Sequence, residues 1–346
     1  MPDKFPIVIA EVGVNHNGSV DTAMRLVDVA VEAGANIVKF QSFNAEKLVT
    51  KAAVQADYQV KNTARVELDA GGSATQPNQY ELLKGLELSA QAHKKIASYC
   101  IEKNIEFLST AFDGDALEQL VALGTKRIKI PSGEITNLPY LEQVANYGLP
   151  TIMSTGMATM EEISAALAIL RTGGLAKELI TILHCTTNYP ALPDELNLSA
   201  IRTIAQGFDV AVGYSDHSIG HVAAVLSVAF GATVIEKHIT LDRSMIGPDH
   251  AASMEPADFR DLVAAVRTAY LAIGDGVKRP TATERGNIPI VRKSIVAARA
   301  IKKGEELTAS NLTVKRPGDG ISPMMWPDVI GRPASQNFEE DEKIVL

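Results

Sequence analysis

The chain has little cysteine, few aromatic residues and no surplus of positive charge. Cys100 and Cys185 are its only cysteines and sit in no paired spacing, which excludes a disulfide framework or a zinc ribbon and points to a reducing, cytoplasmic compartment. Lys and Arg number 33 against 41 Asp and Glu, a net charge of -8, so no nucleic-acid partner is expected and any bound anion must be met by a local site. No apolar run is long enough to cross a membrane. The run that begins at Ile7 meets Glu11 after four residues, too short for the core of a signal peptide. What is present is a composition of 46% hydrophobic and 21% charged residues over 346 positions, a globular chain with room for one large domain and a small one.

Short Val- and Ile-rich runs alternate with helix-period segments up to about residue 280. The strand candidates are IVIAEV (7–12), NIVKFQ (36–41), EFLSTA (106–111), RIKIPS (127–132), PTIMST (150–155), LITILHC (179–185), DVAVGYS (209–215) and TVIEKHI (233–239). Between them Ala23, Leu26, Val27, Ala30 and Val31 keep the spacing of one helical face, as do later segments. Apolar strands alternating with helices mean a covered parallel sheet, and eight such units predict a closed (β/α)8 TIM barrel over 1–278. A long polar insertion over 44–88 reads as a lid or rim. The stretch GDGVKRPTATERGNIP contains an expected linker, 279–289, and residues 290–346 read as a small β-rich module.

In such a barrel, chemistry gathers at the C-terminal strand ends. Those ends carry Glu11, Lys39 with Gln41, Ser109 with Thr110, Lys129 with Ser132 and Glu134, Ser154, His184, Ser215 with His217, and Glu236 with His238. Converging on one mouth, two lysines and several hydroxyls suit a small phosphorylated anion. His217 and His238 end consecutive strands, with Glu236 and Asp249 near in sequence. Two imidazoles beside carboxylates suit a divalent Lewis acid such as Mn2+ better than a closed structural zinc, and two hydrogen-bonded barrel histidines are the alternative. His16 reads as ordering the turn after the first strand.

Through IAEVGVNHNG (9–18), VKFQSF (38–43), FLSTAFD (107–113), KIPSGEITNLP (129–139), MSTGMAT (153–159), LHCTTNYP (183–190), GYSDHSIG (213–220), VIEKHITLD (234–242), GPDHAAS (247–253) and KGEELTASNLTVKRPGDG (303–320), the chain resembles the sialic acid synthase family, the phosphoenolpyruvate-dependent synthases of nonulosonic acids. The last of these resembles the antifreeze-like, or SAF, module. The resemblance implies a metal-dependent condensation of phosphoenolpyruvate with N-acetylmannosamine, with C–O cleavage and release of phosphate, and no organic cofactor. It implies that Lys39, Thr110, Lys129, Ser132, Ser154 and Ser215 hold phosphoenolpyruvate, and that His217 and His238 hold Mn2+, with Mg2+ or Co2+ as alternatives. Glu11 would activate water, while Glu134 and Glu236 would orient lysines or histidines. Gln41, Asn62, Tyr189 and Asp249 would face the sugar, and Arg316 would reach its N-acetyl group across a domain-swapped homodimer.

Two departures stand out. STAF places Ala111 where many relatives have proline, and HCTTNYP leaves one contact to either Thr187 or Asn188. KIPSGEITNLP and the segments around VKNT resemble equally the branch acting on 2,4-diacetamido-2,4,6-trideoxymannose, the N,N'-diacetyllegionaminate synthases. From other classes, a Schiff-base aldolase or lyase using a barrel lysine and a non-catalytic carbohydrate- or ice-binding protein stay open.

Overall fold

The computed structural model describes residues 5–64 and 78–346. Eight parallel strands close into a barrel in chain order: β1 (Ile7–Gly13), β2 (Ile37–Ser42), β3 (Glu106–Ala111), β4 (Ile128–Ile130), β5 (Thr151–Ser154), β6 (Ile180–Cys185), β7 (Ala211–Asp216) and β8 (Val234–His238). The chain divides into one compact unit ending at Gly274 and a second from Asp275 to Leu346.

Side chains alternate across each strand, so one strand serves two cores. Val8, Ala10, Val38 and Phe40 face the surrounding helices, while Ile9, Ile37, Leu108, Ile152, Leu183 and Val234 fill the barrel interior. Two residues beyond each of these interior plugs the same face presents Glu11, Lys39, Thr110, Ser154, Cys185 and Glu236. The plug dries the floor, and the next inward position meets the mouth. On β7 the plug position is Gly213, where an added Cβ would lie 2.4 Å from the Val234 carbonyl and 2.5 Å from Leu183, so no side chain fits. Ser215 and His217 follow on the same face.

Helix ends follow from local chemistry. Ser19 accepts from the Thr22 amide to start the helix Val20–Ala33, which stops at the left-handed Gly34. Thr159 and Glu162 form a reciprocal capping box for Met160–Thr172.

The barrel pattern differs from expectation in three places. β4 ends at Ile130 because Pro131 has no amide hydrogen to donate, and Ser132–Glu134 turns into a 3-10 helix. The 44–88 insertion contains helices Ala45–Leu48, Asp57–Ala64 and Gln79–Leu86. The expected linker carries a helix, Ala282–Val291, started by a Thr281–Glu284 capping box. In the second unit β9 (Ser294–Ala297) and β10 (Leu312–Lys315) pair antiparallel over a core of Ile295, Ile301, Leu307, Phe338 and Ile344. No helix among the described residues is long and apolar enough to cross a membrane.

His16 orders the turn after β1 as expected: its Nδ1 accepts from the Gly18 amide at 2.9 Å. The ring is buried, and burial, then the fields of His93 and His250, lower its pKa from 6.5 to about 4. The folded barrel thus binds this proton less readily than the unfolded chain. The stabilisation is complete above pH 6.5 and drains as pH falls toward 4, amounting to about 3 kcal/mol at 1.36 kcal/mol per pH unit. Urea midpoints measured from pH 7 to pH 4 are expected to fall, and to fall less steeply in His16→Gln. An unchanged slope in that variant removes His16 as the cause.

Candidate active site

The inward strand ends surround a cavity of about 160 Å³ lined by Glu11, Lys39, Gln41, Thr110, Lys129, Ser132, Ser154, Thr187, Tyr189, Ser215, His217, Glu236 and His238. Lys39 is its hub. Its Nζ lies 2.9 Å from Glu11 Oε2 and 3.5 Å from Glu236 Oε2, and donates to Thr110 Oγ1 at 3.0 Å. Lys129 Nζ donates to Ser154 Oγ at 2.6 Å and to the Ile130 carbonyl at 3.2 Å. Ser215 Oγ donates to Glu236 Oε1 at 3.0 Å.

These groups set one another's protonation. Burial, with the Glu236 charge, lifts Glu11 to about 7 against the pull of Lys39. Burial works to raise Glu236 as well, but Lys129 and Lys39 outweigh it and carry Glu236 down to about 2. Two neighbouring carboxylates are thereby split into a fixed anion and a group poised near neutrality, the pattern of an acid–base pair. Burial favours a neutral Lys39, yet Glu11 and Glu236 hold its pKa above the usual value, whereas burial lowers that of Lys129 and the Lys39 charge adds to the effect. Two lysines against one fixed carboxylate leave the cavity suited to an anion.

The histidines stand side by side, ring centroids 5.6 Å apart. His217 Nδ1 lies 2.7 Å from the Thr186 carbonyl, which can only accept, so Nδ1 carries the hydrogen and Nε2 keeps its lone pair. That Nε2 meets Tyr189 Oη at 3.1 Å. Burial lowers His217 to about 4 and, with the His217 field added, takes His238 well below its usual value, so both rings are neutral. His238 Nδ1 has no hydrogen-bond partner, and Asp249 Oδ2 lies 4.0 Å away. Neutral imidazoles, one held in a fixed tautomer and one with an unused buried nitrogen, fit a divalent metal. Among the described residues no three His, Cys, Asp or Glu gather into a metal cluster, so a metal held by the two histidines would draw its remaining ligands from water or substrate oxygens.

Six expected residues lie outside the lining. Glu134 lies in the 3-10 turn after β4, where its Oε2 accepts from Asn137 Nδ2 at 2.5 Å. Asn62 sits on the rim and donates to the Pro248 carbonyl at 2.6 Å. Asp249 is buried with its Oδ2 4.0 Å from His238 Nδ1, and burial lifts it to about 6. Arg316 belongs to the second unit, exposed just past β10. Ser109 and His184 face outward, to Ser42 Oγ at 2.7 Å and the Leu196 carbonyl at 2.7 Å. Of Thr187 and Asn188, Thr187 reaches the cavity, while Asn188 Oδ1 is taken by the Tyr189 amide.

Three contributors were not singled out in the sequence. Cys185 takes the inward position of β6, with Sγ 3.3 Å from Ser132 Oγ. Gly156 lets the backbone approach: an added Cβ would sit 2.0 Å from Thr187 Oγ1, and its amide donates to Ser132 Oγ at 2.9 Å. Tyr58, from the insertion, packs on Tyr189. The inward parity of Cys185 was readable from Leu183. The packing of Tyr58 had no periodic signal.

The pattern of the NeuB family matches residues 26–278, and that of the SAF domain matches 292–345. The chain is 46% identical to the N,N'-diacetyllegionaminic acid synthase of Campylobacter jejuni subsp. jejuni, covering 99% of each chain. It is 43% identical to the N,N'-diacetyllegionaminic acid synthase of Legionella pneumophila subsp. pneumophila, covering 96% of this chain and 91% of that one. The crystal structure of an N-acetylneuraminic acid (sialic acid) synthetase from Leptospira borgpetersenii serovar Hardjo-bovis, in complex with citrate, superposes with a TM-score of 0.71 at 33% identity, covering 82% of this chain and 90% of that one. With the lysines, carboxylates and histidines of its barrel mouth in place, the chain belongs to the NeuB family of synthases and carries that family's barrel together with a SAF domain.

Proposed function

We propose that the protein condenses phosphoenolpyruvate with 2,4-diacetamido-2,4,6-trideoxymannose to give N,N'-diacetyllegionaminic acid and inorganic phosphate. The reaction class rests on one observation, the buried cations Lys39 and Lys129 beside Thr110, Ser132 and Ser154 at a single mouth. The acceptor is supported by the two relatives at 46% and 43% identity, which move N-acetylmannosamine, the first expectation from sequence, to second place.

Lys39 and Lys129 hold the phosphate and carboxylate as charges, and the hydroxyls of Thr110, Ser132, Ser154 and Ser215 orient them. C3 of phosphoenolpyruvate bonds to the sugar's aldehyde carbon while the carbonyl electron pair moves to the aldehyde oxygen, which takes a proton to become a hydroxyl, leaving C2 electron-poor. Water adds at C2 and loses a proton to Glu11, whose pKa near 7 suits that transfer. The C2–O bond to phosphate then breaks as the C2 hydroxyl oxygen forms the ketone, and the hydroxyl proton leaves with the phosphate. Glu236 stays ionised, fixes Lys39 and Ser215, and faces the developing positive charge. His217 and His238 are the residues we assign to Mn2+, with Mg2+ or Co2+ as substitutes; a bound metal supplies Lewis-acid polarisation of the aldehyde. Gln41, Tyr189 and Asp249 border the sugar, with Asn62 on the rim. In a domain-swapped homodimer, Arg316 of the partner subunit would meet an N-acetyl group.

One observation favours a Schiff-base lyase, the lowered pKa of Lys129, but its Nζ is engaged by Ser154 and the Ile130 carbonyl. Phosphate release from phosphoenolpyruvate with Mn2+ is expected to require a sugar and to be fastest with the diacetamido sugar. Faster release with N-acetylmannosamine moves the protein to the sialic acid branch. No sugar-dependent release with either rejects the synthase reading.

A further inference from the structure

Aromatic residues are scarce in this chain, 5% of the whole; Tyr189 lines the cavity, and Tyr58, outside that lining, packs against it. Tyr189 stacks on His217 with ring centroids 4.1 Å apart and meets His238 edge-on at 5.4 Å. Tyr58 packs against the same Tyr189 ring at 5.0 Å, tilted by 34°. Tyr58 belongs to the helix Asp57–Ala64, part of an insertion that the barrel itself does not need. One turn further on, Asn62 donates to the Pro248 carbonyl beside Asp249, so residues i and i+4 of one helix face are both fastened to the rim. Burial, then the Asp249 charge, raises the pKa of the Tyr58 phenol, which keeps the ring uncharged.

We propose that Tyr58 is a specificity-determining residue for the acceptor sugar, forming with Tyr189 an aromatic wall that favours methyl groups over hydroxyls. The inference rests on the synthase reading above. The diacetamido sugar differs from N-acetylmannosamine at two places: C4 carries an acetamido group in place of a hydroxyl, and C6 is a methyl in place of a hydroxymethyl. Both changes add methyl surface that a ring face covers well. A hydroxyl pressed against the same rings loses water without gaining a partner. The Asn62 amide is already spent on the Pro248 carbonyl, so this polar group is engaged elsewhere. Discrimination by such an apolar contact is of the order of tenfold to a hundredfold.

The test compares kcat/KM for phosphate release with each sugar in wild type, Tyr58→Ala and Tyr58→Phe, with melting curves taken alongside. Tyr58→Ala is expected to lose about tenfold with the diacetamido sugar, mainly through KM, and less than about threefold with N-acetylmannosamine. Tyr58→Phe, which keeps the ring, is expected to retain the preference. An equal fall with both sugars means that the helix only props the rim and overturns the proposal, as does an unchanged ratio in Tyr58→Ala. A wild-type preference for N-acetylmannosamine also overturns it. Wild-type protein inactive with both sugars rejects the synthase reading itself, an outcome visible before any variant is made.

Discussion

Lys39→Met is expected to lower kcat/KM for phosphate release by about 10³-fold, the scale on which a preorganised charge acts in a water-poor site. Among the described residues Lys39 is the one cation that touches both carboxylates, with Glu11 at 2.9 Å and Glu236 at 3.5 Å. Without it, two losses compound. The phosphorylated substrate meets one lysine in place of two, and the two buried carboxylates face each other with only Lys129 to offset them. The second loss pushes Glu11 further toward its protonated form, so a base for water is missing as well. Lys39→Arg is expected to rescue little, because a planar fork does not occupy the space of a compact ammonium hemmed by Thr110 and two carboxylates. Steady-state kinetics and calorimetric titration with phosphoenolpyruvate check both statements. Activity within tenfold of wild type in a folded Lys39→Met would reject the hub role.

The second large effect lies behind the cavity. Lys237 and Asp216 are fully buried together on the outer face of the same two strands, with Nζ 2.9 Å from Oδ2. They are cross-strand partners, one step along from Ser215 and Glu236. Asp216 Oδ1 also accepts from the Ser218 amide at 2.9 Å and its hydroxyl at 2.6 Å, and Lys237 donates to the Ser218 carbonyl, so the pair holds the turn that presents His217. Lys237→Met strands a carboxylate in the core and is expected to cost about 3–5 kcal/mol of stability. Replacing both members, Asp216→Leu with Lys237→Met, removes the uncompensated charge and is expected to recover most of that loss. Urea midpoints of the single and double variants decide it. A single variant costing under about 1 kcal/mol, the scale of an exposed pair, would show that the charges are not confined as described.

The barrel and most of its mouth were readable because one rule, alternation along a strand, governs both core and chemistry. Ile9 predicts where Glu11 points, Ile37 does so for Lys39 and Val234 for Glu236. The rule stops where strands stop. Glu134 falls outside the rule because Pro131 ends β4 and the turn after it breaks the inward parity. Asn62 and Tyr58 sit on an inserted helix whose contacts to Pro248 and Tyr189 are set by tertiary packing, for which one sequence holds no periodic signal. The helix Ala282–Val291 was masked by Pro289, which reads as a breaker although the Thr281–Glu284 cap was in plain view.

The pairing of β1 with β8 has a consequence for the life of the chain before it is complete. Ile7 through Glu11 align with Val234 through His238, so the barrel closes between its first strand and its last. That contact spans nearly the whole barrel sequence, and closing so long a loop is among the slowest steps a chain takes. Until β8 leaves the ribosome, β1 is an open sheet edge, the kind of surface that pairs with other chains. Glu11 and His238 meet only at closure. A nascent barrel therefore has no working mouth, and a protein truncated before Val234 is expected to carry its lysines and hydroxyls without ever bringing them to bear.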